Sequence, residues 1–155
     1  MTDRYLARIA ELGLTLPAAA APVASYVPAV EVGGLMHISG QLPFRDGAVV
    51  TGRLGDDVDD AGGKDAAHRC GLMLIAQMAK ALGGLDRVER IVKLGVFVNS
   101  APGYGNQPEV ANGASDLMEA VFGDAGKHAR AAVGVAALPR GAAVEVDAVV
   151  AVRAA

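Results

Sequence analysis

Arg130, Glu145 and Asp147 stand in the stretch HARAAVGVAALPRGAAVEVDAVV, His128 to Val150, at points where a buried sheet calls for apolar residues. The stretch reads as two short strands around a turn. Alternate side chains of a strand share a face, so Val144, Val146, Ala148, Val150 and Val152 form one apolar set with Glu145 and Asp147 opposite them. In the preceding strand Ala131, Val133 and Val135 point one way, and Arg130, Ala132, Gly134 and Ala136 the other. Matching the apolar sets puts Arg130, Glu145 and Asp147 together. The small residues around the arginine leave space above the sheet, and the fork of donors on a guanidinium matches the two oxygens of a planar carboxylate. The alternative is structural: Arg130 pairs with Glu145 or Asp147 and knits strands together, a contact that contributes modestly to stability.

Other chemistry-bearing residues have simpler readings. His37, His68 and His128 lie in different segments without the spacing of a metal site, so no metal is expected. His128 either orients Arg130 or occupies the turn before it, and the second reading is the simpler. Cys70 sits on an apolar helix face as a small core residue. Ser39 lacks the G-x-S-x-G setting of a hydrolase nucleophile, and Gly103-Tyr104-Gly105 lacks the partners of a phosphate cradle. Asp56, Asp57, Asp59 and Asp60 do not follow the calcium-loop order and read as a solvated helix start.

The elements that must position these residues follow from local pattern. Thr2 and Asp3 cap a short helix with Tyr5, Leu6, Ile9 and Leu12 at helical spacing, ended by Gly13. Leu16 to Pro22 is an extended connector. Tyr26 to Val32 and Leu35 to Ser39, split by Gly33-Gly34, form a hairpin, and a turn at Arg45-Asp46-Gly47 precedes a further strand from Ala48 to Thr51. Asp59 and Asp60 open a long helix closed by Gly83-Gly84. Val88 to Asn99 is a strand, the loop SAPGYGNQPE follows, and a second helix runs from Glu109 to Phe122. This order predicts an α+β fold: a mixed sheet with two main helices on one face and an extra N-terminal helix. The uncovered face must tolerate water or meet another subunit.

A chain of 155 residues with 52% hydrophobic and 20% charged content suits one compact domain, here a lead-in over 1–22 and a core over 23–153. The absence of Trp and the few aromatics mean a core of small side chains. A net charge of −3 with scattered Lys and Arg exerts no pull on phosphate backbones, which argues against nucleic acid as a partner. The lone cysteine forms no internal disulfide, the N-terminal residues lack the apolar centre of a signal peptide, and no run reaches membrane-spanning length. A cytoplasmic protein with no membrane partner is expected.

The stretch from His128 to Val150 resembles the C-terminal pattern of the RidA/YjgF family of imine deaminases, also called endoribonuclease L-PSP-like: an arginine, alternating Val, a Leu-Pro turn, then Val-Glu-Val-acid. SYVPAVEVGGLMHISGQLP, Ser25 to Pro43, is similar to its N-terminal pattern, and the likeness runs from about Val23 to Arg153. The resemblance implies a chorismate-mutase-like fold and a homotrimer with helices outside and three clefts between subunits. It also implies hydrolysis of enamines and imines such as 2-aminoacrylate to 2-oxo acids and ammonia, with no cofactor. By position, Arg130 matches the arginine that binds the substrate carboxylate and Glu145 the acid that positions or activates water. Tyr26, Ser39, Gly40 and Asn112 match substrate-binding positions, and Ala132 stands in the pocket wall where many deaminases carry a cysteine. The loop from Ser100 to Pro108 and the helix before Val23 are additions, typical of a divergent bacterial branch. The rival readings are a non-catalytic module that binds a 2-oxo acid or related carboxylate in the same cleft, and RNA cleavage, against which the acidic balance argues.

Overall fold

The computed structural model describes residues 2–155. Helix α1 (Arg4–Glu11) starts where Asp3 accepts from the backbone N–H groups of Tyr5 and Leu6 at 3.0 and 3.1 Å, satisfying donors that have no partner within the helix. Its apolar stripe buries Tyr5 and Ile9, and the Tyr5 ring meets Phe122 edge-on at 4.8 Å. Strands β1 (Ala29–Val32) and β2 (Leu35–Gln41) form the expected hairpin, closed by Gly33 and Gly34 at φ 59° and 79°, the left-handed pair that two-residue turns require. β1 starts three residues later than expected and leaves Tyr26 outside the sheet, and β2 runs two residues further. A small two-stranded ribbon, β3 (Phe44–Arg45) with β4 (Ala48–Val49), stands apart from the main sheet.

Helix α2 (Asp60–Leu82) is capped by Asp59 and stopped by Gly83 in the left-handed conformation. Cys70 is fully buried on it, and burial pushes its thiol pKa up, which suits a packing residue. Strand β5 (Val88–Asn99) has the expected bounds. Helix α3 (Gln107–Phe122) begins two residues earlier than the pattern predicts, because Pro108 fits the first helical turn. Strands β6 (Ala129–Val135) and β7 (Val144–Val152) complete a five-stranded sheet in the order β1-β2-β7-β5-β6. Helices α2 and α3 cover one face, as expected, and the core lies between them and the sheet, around Leu74, Ile75, Met78, Leu94, Met118 and Val150. Among the described residues no helix is long and apolar enough to cross a membrane.

The last two strands are not a hairpin. β5 lies between them, β6 running parallel to it at the sheet edge and β7 antiparallel on its other side. The side chain of Arg130 therefore takes its direction from β5. Leu94, buried in the helix-side core, lies beside both Arg130 and Ala148. Phe97 lies beside both Val133 and Glu145. Neighbours across a ladder share a face, so Arg130 is on the helix side while Glu145 and Asp147 are on the open side. The expected grouping of the three charged residues on one face is thus overturned. An edge strand leaves Val133, 46% exposed, on the open face, and the arginine on the other face extends to α3.

Candidate functional site

Glu145 stands in the floor of a cavity of about 270 Å³ with Tyr26, Gly40, Gln41, Leu42, Phe44 and Arg140 around it. The cavity is shaped by an irregularity in β2. Ile38 pairs with Ala148 and Gln41 with Val146, so Ser39 and Gly40 together oppose Asp147 alone, a β-bulge that bends the strand over β7. Gly40 leaves the Glu145 side chain its room: a Cβ would stand 2.8 Å from the Glu145 carboxyl carbon and 3.0 Å from its Oε1. Ser39 does not line the cavity. Its hydroxyl donates to the Val27 carbonyl at 2.9 Å and so holds the segment that carries Tyr26. The opposite wall, Ala20 to Val23, is tied down by Gln77, whose Nε2 donates to the Ala20 carbonyl at 2.8 Å and to Gln41 Oε1 at 3.2 Å.

Among the described residues the Glu145 carboxylate accepts no hydrogen bond and forms no ion pair. Burial pushes its pKa above the usual 4.5, and the nearby negative charge of Asp147 pushes in the same direction. A half-buried, unpartnered carboxylate facing a small cavity can take a proton from a water molecule.

Arg130 lies elsewhere. Its Nη1 donates to Asn112 Oδ1 at 2.8 Å and Ser115 Oγ at 3.1 Å, and its Nη2 to the Pro108 carbonyl at 3.4 Å, all on α3. It pairs with no carboxylate among the described residues, which removes the structural ion pair as its role. Asn112 therefore touches the arginine itself. Ala132 is on the same side of β6 and packs against the core. Within one chain Arg130 and Glu145 are two strands and three residues of rise apart, roughly 14 Å by the usual strand spacing and rise, and on opposite faces.

Tyr26, Gly40 and Glu145 thus come together, Arg130 and Asn112 come together elsewhere, Ser39 supports the first group, and Ala132, expected in the pocket wall, packs against the core instead of lining the Glu145 cavity. Arg140, Ser115 and Phe44 were not anticipated. Arg140 sits in the left-handed region at φ 58°, ψ 19° in the Pro139–Gly141 turn, and its place five residues before Glu145 is the signal that sequence offers. Ser115 follows Asn112 by three residues and so shares its helix face.

A model of the family described as "YjgF/chorismate_mutase-like, putative endoribonuclease" matches residues 6–149. The chain belongs to the RidA/YjgF family. It is 56% identical over 151 residues to Protein TCP17 of Trypanosoma cruzi, covering 96% of this chain and 94% of that one. A 2-iminobutanoate/2-iminopropanoate deaminase of Dermatophagoides farinae is 26% identical over 139 residues, covering 88% of this chain and 93% of that one. The crystal structure of the protein Atu1372 from Agrobacterium tumefaciens, of unknown function, superposes with a TM-score of 0.89 at 45% identity, covering 97% of this chain and 94% of that one. The chorismate-mutase-like fold expected for this member is thus the observed one.

Proposed function

We propose that the protein hydrolyses small imino or enamino acids of the 2-aminoacrylate class to 2-oxo acids and ammonia. The observation that carries this reading is Glu145: a partly desolvated carboxylate without a partner among the described residues, its pKa raised, in the floor of a cavity sized for a small metabolite. In the imine form, water adds to the C=N carbon while Glu145 takes one of its protons. That proton goes to nitrogen to give a carbinolamine; Glu145 then relays the proton of the new hydroxyl to the amine, the C–N bond breaks, and ammonia leaves as the carbonyl forms. The family membership and the relative named as a 2-iminobutanoate/2-iminopropanoate deaminase support this chemistry. No organic cofactor or metal enters the scheme.

The separation of Arg130 from Glu145 within one chain supports a homotrimer, in which the β6 edge of one subunit meets the Glu145 cavity of the next. Arg130 then fixes the carboxylate, and the imine carbon faces the water held at Glu145. The exposed apolar side chain of Val133 beside Phe97 on the open sheet face is suited to such contact. A cytoplasmic location accords with a lone buried thiol and with substrates released by metabolic enzymes.

The test is release of ammonia or 2-oxo acid from 2-aminoacrylate and bulkier imines generated in solution, wild type against Arg130→Ala. Arg130→Ala is expected to lower kcat/KM by roughly a thousandfold, as loss of a paired, charge-assisted contact and of substrate alignment implies. A wild type that accelerates no imine overturns the enzyme reading. If such a protein still binds 2-oxo acids through Arg130, it is a carboxylate-binding module.

A further inference from the structure

His128 and Ser115 form a directional chain that ends on Arg130. His128 Nδ1 is 2.6 Å from the Gly126 carbonyl oxygen, which can only accept, so Nδ1 carries a proton. In the neutral ring Nε2 is then an acceptor, and Ser115 Oγ lies 2.8 Å from it. The Ser115 hydroxyl donates to His128, which turns its lone pairs toward Arg130 Nη1 at 3.1 Å. Each bond polarises the next in the same sense: Arg130 to Ser115, Ser115 to His128, His128 to Gly126. Gly126 is itself fixed, since a Cβ there would run into the Met118 carbonyl.

The chain also selects which donors of the guanidinium remain. Nη1 gives its two hydrogens to Asn112 and Ser115, and Nη2 gives one to Pro108. Of five donors, the Nε hydrogen and one on Nη2 have no acceptor among the described residues, and donors on these two nitrogens can meet the two oxygens of a carboxylate as a fork. The geometry points to Ser115 and His128 as positioning residues that lock the fork of Arg130 toward the substrate carboxylate. This rests on the reading of Arg130 as the anchor.

The experiment compares wild type with Ser115→Ala, Ser115→Thr and His128→Gln. Ser115→Ala is expected to raise KM for 2-iminobutanoate and weaken binding of 2-oxobutanoate about tenfold with little change in kcat, because a hydrogen bond to a charged group is lost. His128→Gln follows in the same direction. Binding of the uncharged amide of 2-oxobutanoate stays at its wild-type level, and Ser115→Thr, which keeps the hydroxyl, restores the acid. Alongside, nitrogen-15 relaxation of the Arg130 Nε–H group is expected to show a rigid guanidinium in wild type and Ser115→Thr and a mobile one in Ser115→Ala. The NMR comparison decides the positioning role even where wild type is inert toward imines, an outcome that removes the proposed function alone. An Arg130 signal equally rigid in Ser115→Ala, or a loss of thermal stability with unchanged oxo-acid binding, overturns the inference.

Discussion

The two faces of the sheet carry the two candidate groups in opposite states. On the helix side Arg130 is held by Asn112, Ser115 and Pro108, with Ser115 held in turn by His128. On the open side Glu145 has Gly40 above it, Asp147 near it and no hydrogen-bond partner among the described residues. A cation that must grip a carboxylate gains from being held still before the ligand arrives, because less side-chain freedom is lost on binding. A base needs the reverse: partners that stabilise its carboxylate would lower its affinity for the proton it must take. The difference teaches that the fold holds the arginine still and leaves the carboxylate unsatisfied.

The closed face is the more easily broken. Helices α2 and α3 cross at Gly113, where a Cβ would stand 2.9 Å from the Lys64 carbonyl carbon and 3.0 Å from the His68 nitrogen, with the Lys64 oxygen closer still. These are backbone atoms and cannot rotate away. Gly113→Ala is therefore expected to cost about 3 kcal/mol in urea unfolding, the upper end for overpacking. Since Gly113 lies between Asn112 and Ser115, the displaced helix should also loosen Arg130. Unchanged stability would mean that the helix pair is compliant, and the contrast between a rigid and a permissive face would fail.

The sequence carried most of the fold because its punctuation is local. Asp3 and Asp59 cap helices, Gly33-Gly34 turns a hairpin and Gly83 ends α2, each through atoms within a few residues. The faces of β7 were legible as well, since it lies between two strands and its apolar set Val144, Val146, Ala148, Val150 and Val152 falls on every second residue. The face of Arg130 was not legible. Two strands joined by a Leu-Pro turn look like a hairpin, and nothing in their own residues says that β5 inserts between them. Edge strands also weaken the alternation on which the assignment depended: Ala129, Ala131 and Val133 are exposed although apolar. The Arg140 side of the cavity and the Ser115–His128 chain were hidden for a related reason, since each joins segments whose contact is set by tertiary packing.

On the open face a comparable insertion should act differently. Gly40 has an ordinary backbone conformation, and the atoms a Cβ would meet belong to the Glu145 side chain. Gly40→Ala is expected to fold with a stability change within about 1 kcal/mol, because a flexible side chain can swing aside. The carboxylate is then misplaced by a fraction of an ångström to an ångström, and kcat/KM should fall by as much as about 100-fold. Imine hydrolysis and urea unfolding measured on the same preparation separate the two effects. A loss of stability without loss of activity would show that Glu145 is not the group that matters in the cavity.

The finest test concerns Asp147, which shares the open face with Glu145. Burial is the larger cause of the raised pKa of Glu145 and the Asp147 charge the smaller, so Asp147→Asn removes only the second. The carboxylate of Glu145 then forms at lower pH, and the acid limb of kcat/KM, which reports the base in the free enzyme, moves down while staying above 4.5. Stability is linked in the same sense. A carboxyl whose pKa is raised by folding favours the folded state when protonated, below its unfolded pKa, and that contribution is lost as pH rises through the folded value. Asp147→Asn should therefore reduce the loss of stability on passing from acid to neutral pH. A limb that stays in place would assign the raised pKa to burial alone, and a limb that moves up would mean that Asp147 assists Glu145 through a bound water or the substrate rather than opposing its charge.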